Sequence, residues 1–249
     1  MVRRGMVDYN PSRARPCLIA ARAWRGTKGL RTLRQLMTDS TVTERNAAKE
    51  SGDGGSNGGW SRLSKDEINA RPIRKYKGPI HLVRDSDEVV GAVRQLEKEA
   101  VLGFDTEARP TFRSGQVHLP TVLQLAGEHA AYVFQLRHCR FSKPLRRLLA
   151  NPKIVKAGVA LDRDLEELHQ LAPFQPAGFV DVGELAKQAG CKNHGLRGMA
   201  AALLNFRVSK NSQRSNWAKE TLSPEQIEYA ATDAWVGREL YHKLQQLMS

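Results

Sequence analysis

Val101-Leu-Gly-Phe-Asp105-Thr-Glu107 decides how this chain is read. Four largely apolar residues deliver two carboxylates, two positions apart, to the end of an expected buried strand. Side chains at i and i+2 of a strand point to the same face, roughly 6.5–7 Å apart along it. Two acids held that way repel each other unless a cation lies between them. Hard divalent ions such as Mg²⁺ take oxygen ligands. The pair therefore raises the question of whether other segments supply the rest of a metal site. Taken alone, Asp-Thr-Glu fits a solvated strand end or the start of a turn equally well.

Two further segments carry suitable carboxylates. Near the C-terminus runs Leu222-Ser-Pro-Glu-Gln-Ile-Glu-Tyr229-Ala-Ala-Thr-Asp233-Ala. Ser223 suits a helix N-cap and Pro224 the first helical position. Tyr229 and Asp233 then stand at i and i+4, on one helix face. Ala230, Ala231, Ala234 and Val236 imply close packing around them, and a carboxylate among alanines is costly to bury unless paired or bound to metal. An Asp bonded to a core Tyr accounts for the same residues. The third segment is Ala157-Gly-Val-Ala-Leu-Asp162-Arg-Asp164-Leu-Glu-Glu-Leu168. It reads as a strand feeding a helix with an acidic first turn, where the helix dipole favours negative charge. Asp162 is explained as a cap; Asp164, one step deeper, is able to turn toward the end of the sheet. Spacing does not choose between them.

Around these segments, strand and helix patterns interleave. Ile80–Val83 reads as a strand. Asp85 and Ser86 cap a helix whose Val89, Val90, Val93 and Leu96 follow a 3.6-residue period. The strand 101–105 comes next. Thr121–Leu125 and Ala131–Phe134 straddle Gly127, Glu128 and His129 as a hairpin. A helix is expected over 142–150, a strand over 154–159, a helix over 162–171 and a short strand over 179–182. Helices fill 183–190, 195–205 and 223–246. Antiparallel strands first and βα alternation later predict an α/β fold with a mixed β-sheet flanked by helices.

The chain has 249 residues, 41% of them hydrophobic, and a net charge of +13 with 39 basic against 26 acidic side chains. Such an excess favours a polyanionic partner, nucleic acid before membrane. Positions 1–34 hold nine Lys or Arg and the single acid Asp8. That composition fits an organelle transit peptide, a basic disordered arm, or an upstream extension outside the working protein. Residues 51–59, rich in Gly and Ser, read as a linker. The working domain is expected over 61–249, after a 1–60 extension, and it remains basic at 28 against 21, or +7. Cys17, Cys139 and Cys191 show neither a disulfide framework nor a zinc spacing, so a reducing compartment is inferred. No apolar run reaches the roughly 18 residues of a membrane span.

The three acidic segments, in their order, resemble the exonuclease motifs of the DEDD superfamily of 3′→5′ exonucleases. The resemblance rests on Phe104-Asp-Thr-Glu107, on Asp164 in a Gly-Val-x-x-x-x-Asp-Leu setting, and on Tyr229-x-x-x-Asp233. Tyrosine four residues before the last aspartate marks the tyrosine subclass. The histidine subclass carries His one position earlier, which is Glu228 here. Ser215-Asn-Trp217 and Leu222–Ala234 bring the chain nearest to the Werner-type exonuclease domain, with ribonuclease D as the neighbouring branch. The resemblance covers about residues 78–246.

It implies a ribonuclease H-like fold and two divalent metal ions, Mg²⁺ or Mn²⁺, held by Asp105, Glu107, Asp164 and Asp233. The Leu-Glu after Asp164 makes it a better match than Asp162. Tyr229 corresponds to the residue that orients the attacking water; with a reference pKa near 10 it is a poor base. Metal ions in such a site acidify the water and stabilise the leaving oxygen. The substrate side falls to Phe104, Thr106, Leu123, Arg214 and Trp217. Phe104 and Leu123 are able to contact the terminal base, although burial preferences favour the core for both. Arg214, with Arg197 and Lys210, precedes Trp217, a combination suited to phosphates and stacked bases; Trp217 also fits a packing role.

The expected function is thus 3′→5′ exonucleolysis of single-stranded or recessed 3′ ends. DNA is favoured because the chain stops 16 residues after Asp233, leaving no place for ribonuclease D's C-terminal helical domains. A ribonuclease D-like activity on RNA and a non-catalytic nucleic-acid-binding module are the alternatives. Cytoplasmic residence is expected, or organelle targeting through the basic N-terminus.

Overall fold

The computed structural model describes residues 60–111 and 116–249. The basic segment with its three readings, and the 51–59 linker, lie outside the described residues. The first described element is a helix that periodicity did not predict, α1 (Lys65–Ala70), started by a Ser64–Glu67 capping box. It is too short and too polar to leave a periodic signal.

Strand β1 (Ile80–Val83) leads into α2 (Ser86–Leu96), capped by Asp85 and Glu88. Its buried face is Val89, Ala92, Val93 and Leu96, while Val90 stays 40% exposed. Three members of the expected apolar stripe are buried, and Ala92 packs in place of Val90. Strand β2 (Val101–Ala108) extends three residues beyond the expected Asp105. It pairs antiparallel with β3 (Pro120–Ala126), which returns as a hairpin to β4 (Ala131–Gln135). A single turn, α3 (Leu136–Cys139), and α4 (Lys143–Leu149) follow. Strand β5 (Val155–Gly158) feeds α5 (Leu161–Leu171). Strand β6 (Phe179–Asp181) ends where α6 (Val182–Gln188) begins, so Val182 is helical rather than the last strand residue. Then come α7 (Leu196–Leu203) and the 25-residue α8 (Pro224–Met248), capped by Ser223 and Gln226 with Pro224 in its first turn.

The described strands form one mixed sheet in the order β1-β4-β3-β2-β5-β6. β2 sits between an antiparallel neighbour, β3, and a parallel one, β5. Alternating side chains divide the core. Leu102, Phe104, Leu123 and Leu125 pack against α2, α4 and α5. On the other face Val122, Ala126 and Val133 pack against Ala230, Ala231 and Ala234 of α8. Among the described residues no helix is long and apolar enough to cross a membrane.

Helix α8 lies unusually close to β2, and glycine makes that possible. A Cβ on Gly103 would fall 1.8 Å from the Ala234 carbonyl oxygen. On α8, a Cβ on Gly237 would fall 2.9 Å from the Ala157 carbonyl oxygen of β5. The close approach brings Asp233, one residue before Ala234, beside the end of β2.

Candidate active site

Strand alternation turns Asp105 and Glu107 to the same face as Gly103, the face that α8 covers. Asp105, Glu107 and Asp233 each place one carboxylate oxygen within 4.8 Å of the others. Asp233 is 6% exposed. All three acids are pushed above the ordinary carboxylate range. For Asp105 the causes are burial first, then Asp233 and Asp164. For Glu107 they are burial, then Asp105 and Asp233. Asp233 rises through burial, opposed by a hydrogen bond from Tyr229.

Asp164 arrives from the other side of the sheet. Thr106, whose side chain alternates away from Asp105, donates from Oγ1 to Asp164 Oδ1 at 2.5 Å. Burial raises Asp164 to about 6, and the Thr106 bond opposes that rise. Asp162 is exposed. The turn before α5 is strained: Ala160 has φ 55°, left-handed backbone that disfavours a non-glycine residue. Its amide donates to Asp181 Oδ2 at 2.9 Å, the same side chain that caps α6. The first turn of α5 is thereby fixed at the end of the sheet.

Tyr229, one turn before Asp233, bonds to that carboxylate. Burial, Asp233 and Glu107 raise its phenol further above the ordinary value of 10, so it stays protonated at neutral pH. A cavity of about 360 Å³ is lined by Asp105, Thr106, Glu107, Tyr229 and Asp233 among others. A second cavity, of about 650 Å³, shares Tyr229, Asp233, Leu196 and Gln213 with it.

The residues fit a divalent cation. Three carboxylates converge as an all-oxygen donor set suited to a hard ion. Asp233 Oδ1 is buried without a hydrogen-bond partner among the described residues, a costly state that a bound cation relieves.

The fold places the expected substrate contacts differently from one another. Leu123 is fully buried in the core between β3 and the helices on that face. Phe104 borders the smaller cavity, but the residue is 1% exposed and its ring packs edge-on against Phe179 at 5.1 Å. Trp217 is fully buried; its ring lies 5.9 Å from that of Tyr229, and its carbonyl accepts from Thr121 Oγ1. It supports Tyr229 from behind and offers no face to a base. Thr106 lines the cavity, but its hydroxyl is engaged with Asp164. Arg214 is exposed and lines neither cavity, whereas its neighbour Gln213 lines both.

Reading by motif missed Gln124, which stands directly opposite Asp105 in the β2–β3 register and is fully buried. Neither of its amide atoms has a hydrogen-bond partner among the described residues. A polar residue in the middle of an apolar strand, Thr121-Val-Leu-Gln-Leu125, was the available signal.

A mixed sheet carrying a carboxylate cluster at its centre, with α8 laid across it, is the ribonuclease H-like architecture of 3′→5′ exonucleases. The family model described as 3'-5' exonuclease matches residues 80–249, and the chain belongs to that family. Such exonucleases use divalent metals. The chain is 31% identical to ribonuclease D of Haemophilus influenzae over 179 residues, which is 70% of this chain and 44% of that protein. It is 32% identical to the mouse bifunctional 3'-5' exonuclease/ATP-dependent helicase WRN over 156 residues, 60% of this chain and 11% of that one. The aligned region thus spans less than half the length of either relative. Among solved structures, the Nibbler EXO domain of Aedes aegypti shares the fold at a TM-score of 0.63 and 21% identity. That match covers 72% of this chain and 93% of the domain.

Proposed function

We propose that this protein removes nucleotides from the 3′ ends of nucleic acid by metal-dependent hydrolysis, with single-stranded or recessed DNA ends favoured. The observation that carries the reading is the convergence of Asp105, Glu107 and Asp233, with Asp164 joined to them through Thr106. In this reading Asp105, Glu107, Asp164 and Asp233 hold two divalent ions, Mg²⁺ or Mn²⁺. When bound, such ions supply Lewis acidity toward the attacking water and the leaving oxygen.

The remaining chemistry belongs to the chain. Tyr229 keeps its proton, so its hydroxyl orients the water by hydrogen bonding rather than abstracting a proton. Trp217 and the alanines of α8 fix the phenol by packing. Thr106 holds Asp164 in place. The smaller cavity receives the terminal nucleotide. The products are a 5′-mononucleotide and a strand one unit shorter with a free 3′-hydroxyl.

The Werner-type segment Leu222–Ala234 supports DNA as substrate. RNA is the second reading, favoured by the 31% identity to a ribonuclease D. Purified protein is incubated with 5′-labelled single-stranded DNA, recessed duplex and RNA, with and without Mg²⁺ or Mn²⁺. A ladder descending from the 3′ end, present only with metal, is expected. An Asp105→Ala variant that degrades as fast as the parent rules the site out.

A further inference from the structure

The larger cavity is walled in part by residues that precede the family domain. Arg62 and Lys65 lie upstream of residue 80, where the family match begins, yet both line the cavity that shares Tyr229 and Asp233 with the carboxylate site. The segment is held in place. Leu63, between them, donates its amide to Asn193 Oδ1 at 2.9 Å, and its carbonyl accepts from Asn193 Nδ2 at 3.2 Å. Asn193 is itself 8% exposed. Further along, Arg197 donates to Asn69 Oδ1 at 2.7 Å and Arg207 Nε to the Asn69 carbonyl at 3.1 Å.

The same cavity is lined by Lys192, Arg197 and Lys210. Asp233 is the single carboxylate among its lining residues. Arg62, Lys65, Lys192 and Lys210 form no ion pair among the described residues. The Nε of Arg197 is buried without a hydrogen-bond partner among them. Five cations lining one cavity give it a positive field that draws a polyanion.

We propose that Arg62 and Lys65 are a phosphate clamp for the nucleic-acid strand immediately 5′ of the bond being cut. The proposal rests on the exonuclease reading for its polarity: the 3′-terminal nucleotide occupies the smaller cavity, and the preceding backbone lies in the larger one. Both residues are exposed, and neither forms an ion pair among the described residues. The clamp is blind to base and sugar, because its partners are phosphate oxygens.

The test measures binding without catalysis. A fluorescein-labelled thymidylate octamer is titrated with the full chain in EDTA at several salt concentrations. Each phosphate contact on a single strand contributes about 0.7 to the slope of log K against log salt. An Arg62→Ala/Lys65→Ala variant should bind about tenfold more weakly, with a slope shallower by about 1.4. An Arg62→Lys/Lys65→Arg variant should bind like the parent, as should Lys153→Ala, an exposed cation that lines neither cavity.

Unchanged affinity and slope in the alanine pair, an equal loss in Lys153→Ala, or no octamer binding by the parent overturns the clamp. Hydrolysis of thymidine 5′-monophosphate p-nitrophenyl ester with Mn²⁺ tests the exonuclease reading separately, since this ester carries no upstream phosphate. An inert parent that binds the octamer through Arg62 and Lys65 defeats the exonuclease reading and leaves the clamp standing. An active parent whose alanine pair keeps the parent's affinity and salt slope does the reverse.

Discussion

Thr106 Oγ1 donates to Asp164 Oδ1 at 2.5 Å, joining the strand that carries Asp105 and Glu107 to the helix that carries Asp164. The two residues are 58 positions apart and occupy different elements. Thr106→Val keeps the shape of the side chain and removes the donor. Hydrogen bonds to charged groups contribute about 1.5–3 kcal/mol. We expect kcat to fall roughly 10- to 100-fold by the same conversion. The variant should add nothing to an Asp164→Ala background; an additive loss in steady-state hydrolysis would place the Thr106 hydroxyl in another role.

Tyr229→Phe retains the ring that packs on Trp217 and deletes the hydroxyl bonded to Asp233. Turnover should drop by about 10²-fold or more, the scale of a lost positioning group. Octamer affinity in EDTA should stay within about twofold, since the phenol holds a water and not the strand. Comparing single-turnover rates with anisotropy titrations checks both halves.

Gly103→Ala places a methyl group 1.8 Å from the Ala234 carbonyl oxygen, and backbone on both sides leaves little room to yield. Overpacking of this kind costs about 1–3 kcal/mol. At about 2–4 °C per kcal/mol for a chain of this size, Tm should fall by roughly 2–12 °C. Activity should fall as well, because α8 must lift and carry Asp233 away from Asp105. Thermal unfolding followed by circular dichroism, with hydrolysis on the same samples, measures both.

The crowded carboxylates make stability depend on pH in a definite direction. Asp164 moves from 3.8 to about 6, and Asp105, Glu107 and Asp233 shift upward too. A raised acid binds more protons folded than unfolded, so its contribution is favourable below the unfolded pKa and is lost as pH rises through the folded one. In EDTA, Asp105→Asn should therefore stabilise the protein near pH 8, by roughly 1.4 kcal/mol for each pKa unit of repulsion relieved. The gain should vanish toward about pH 4, where the acids are already neutral. A few millimolar Mg²⁺ should stabilise the parent above the variant at pH 8. Tm measured across pH, with and without metal, decides it; a gain that grows toward acid would contradict the crowding.

Much of the site was visible in local pattern. Asp105 and Glu107 share a face because a strand repeats every two residues, and Tyr229 and Asp233 share one because a helix returns after four. The cap Ser223-Pro224 marked where α8 starts. What local pattern left open were side chains whose surroundings come from elsewhere in the chain. Leu123 and Trp217 are apolar enough for a binding surface or a core, and their neighbours decide which. Gln124 looked ordinary until the β2–β3 register set it opposite Asp105.

The amino-acid order alone determined the element types, the mixed α/β class and four acids with a tyrosine in family order. These follow from backbone periodicity and capping, which act over a few residues. Only the tertiary structure decided that α5 presents Asp164 and not Asp162 to Thr106, that Trp217 is buried behind Tyr229, and that Arg62 and Lys65 face the cavity. Those outcomes depend on packing and charge between elements separated along the chain, by 58 positions for Thr106 and Asp164 and by 130 for Leu63 and Asn193, where no local rule fixes distance.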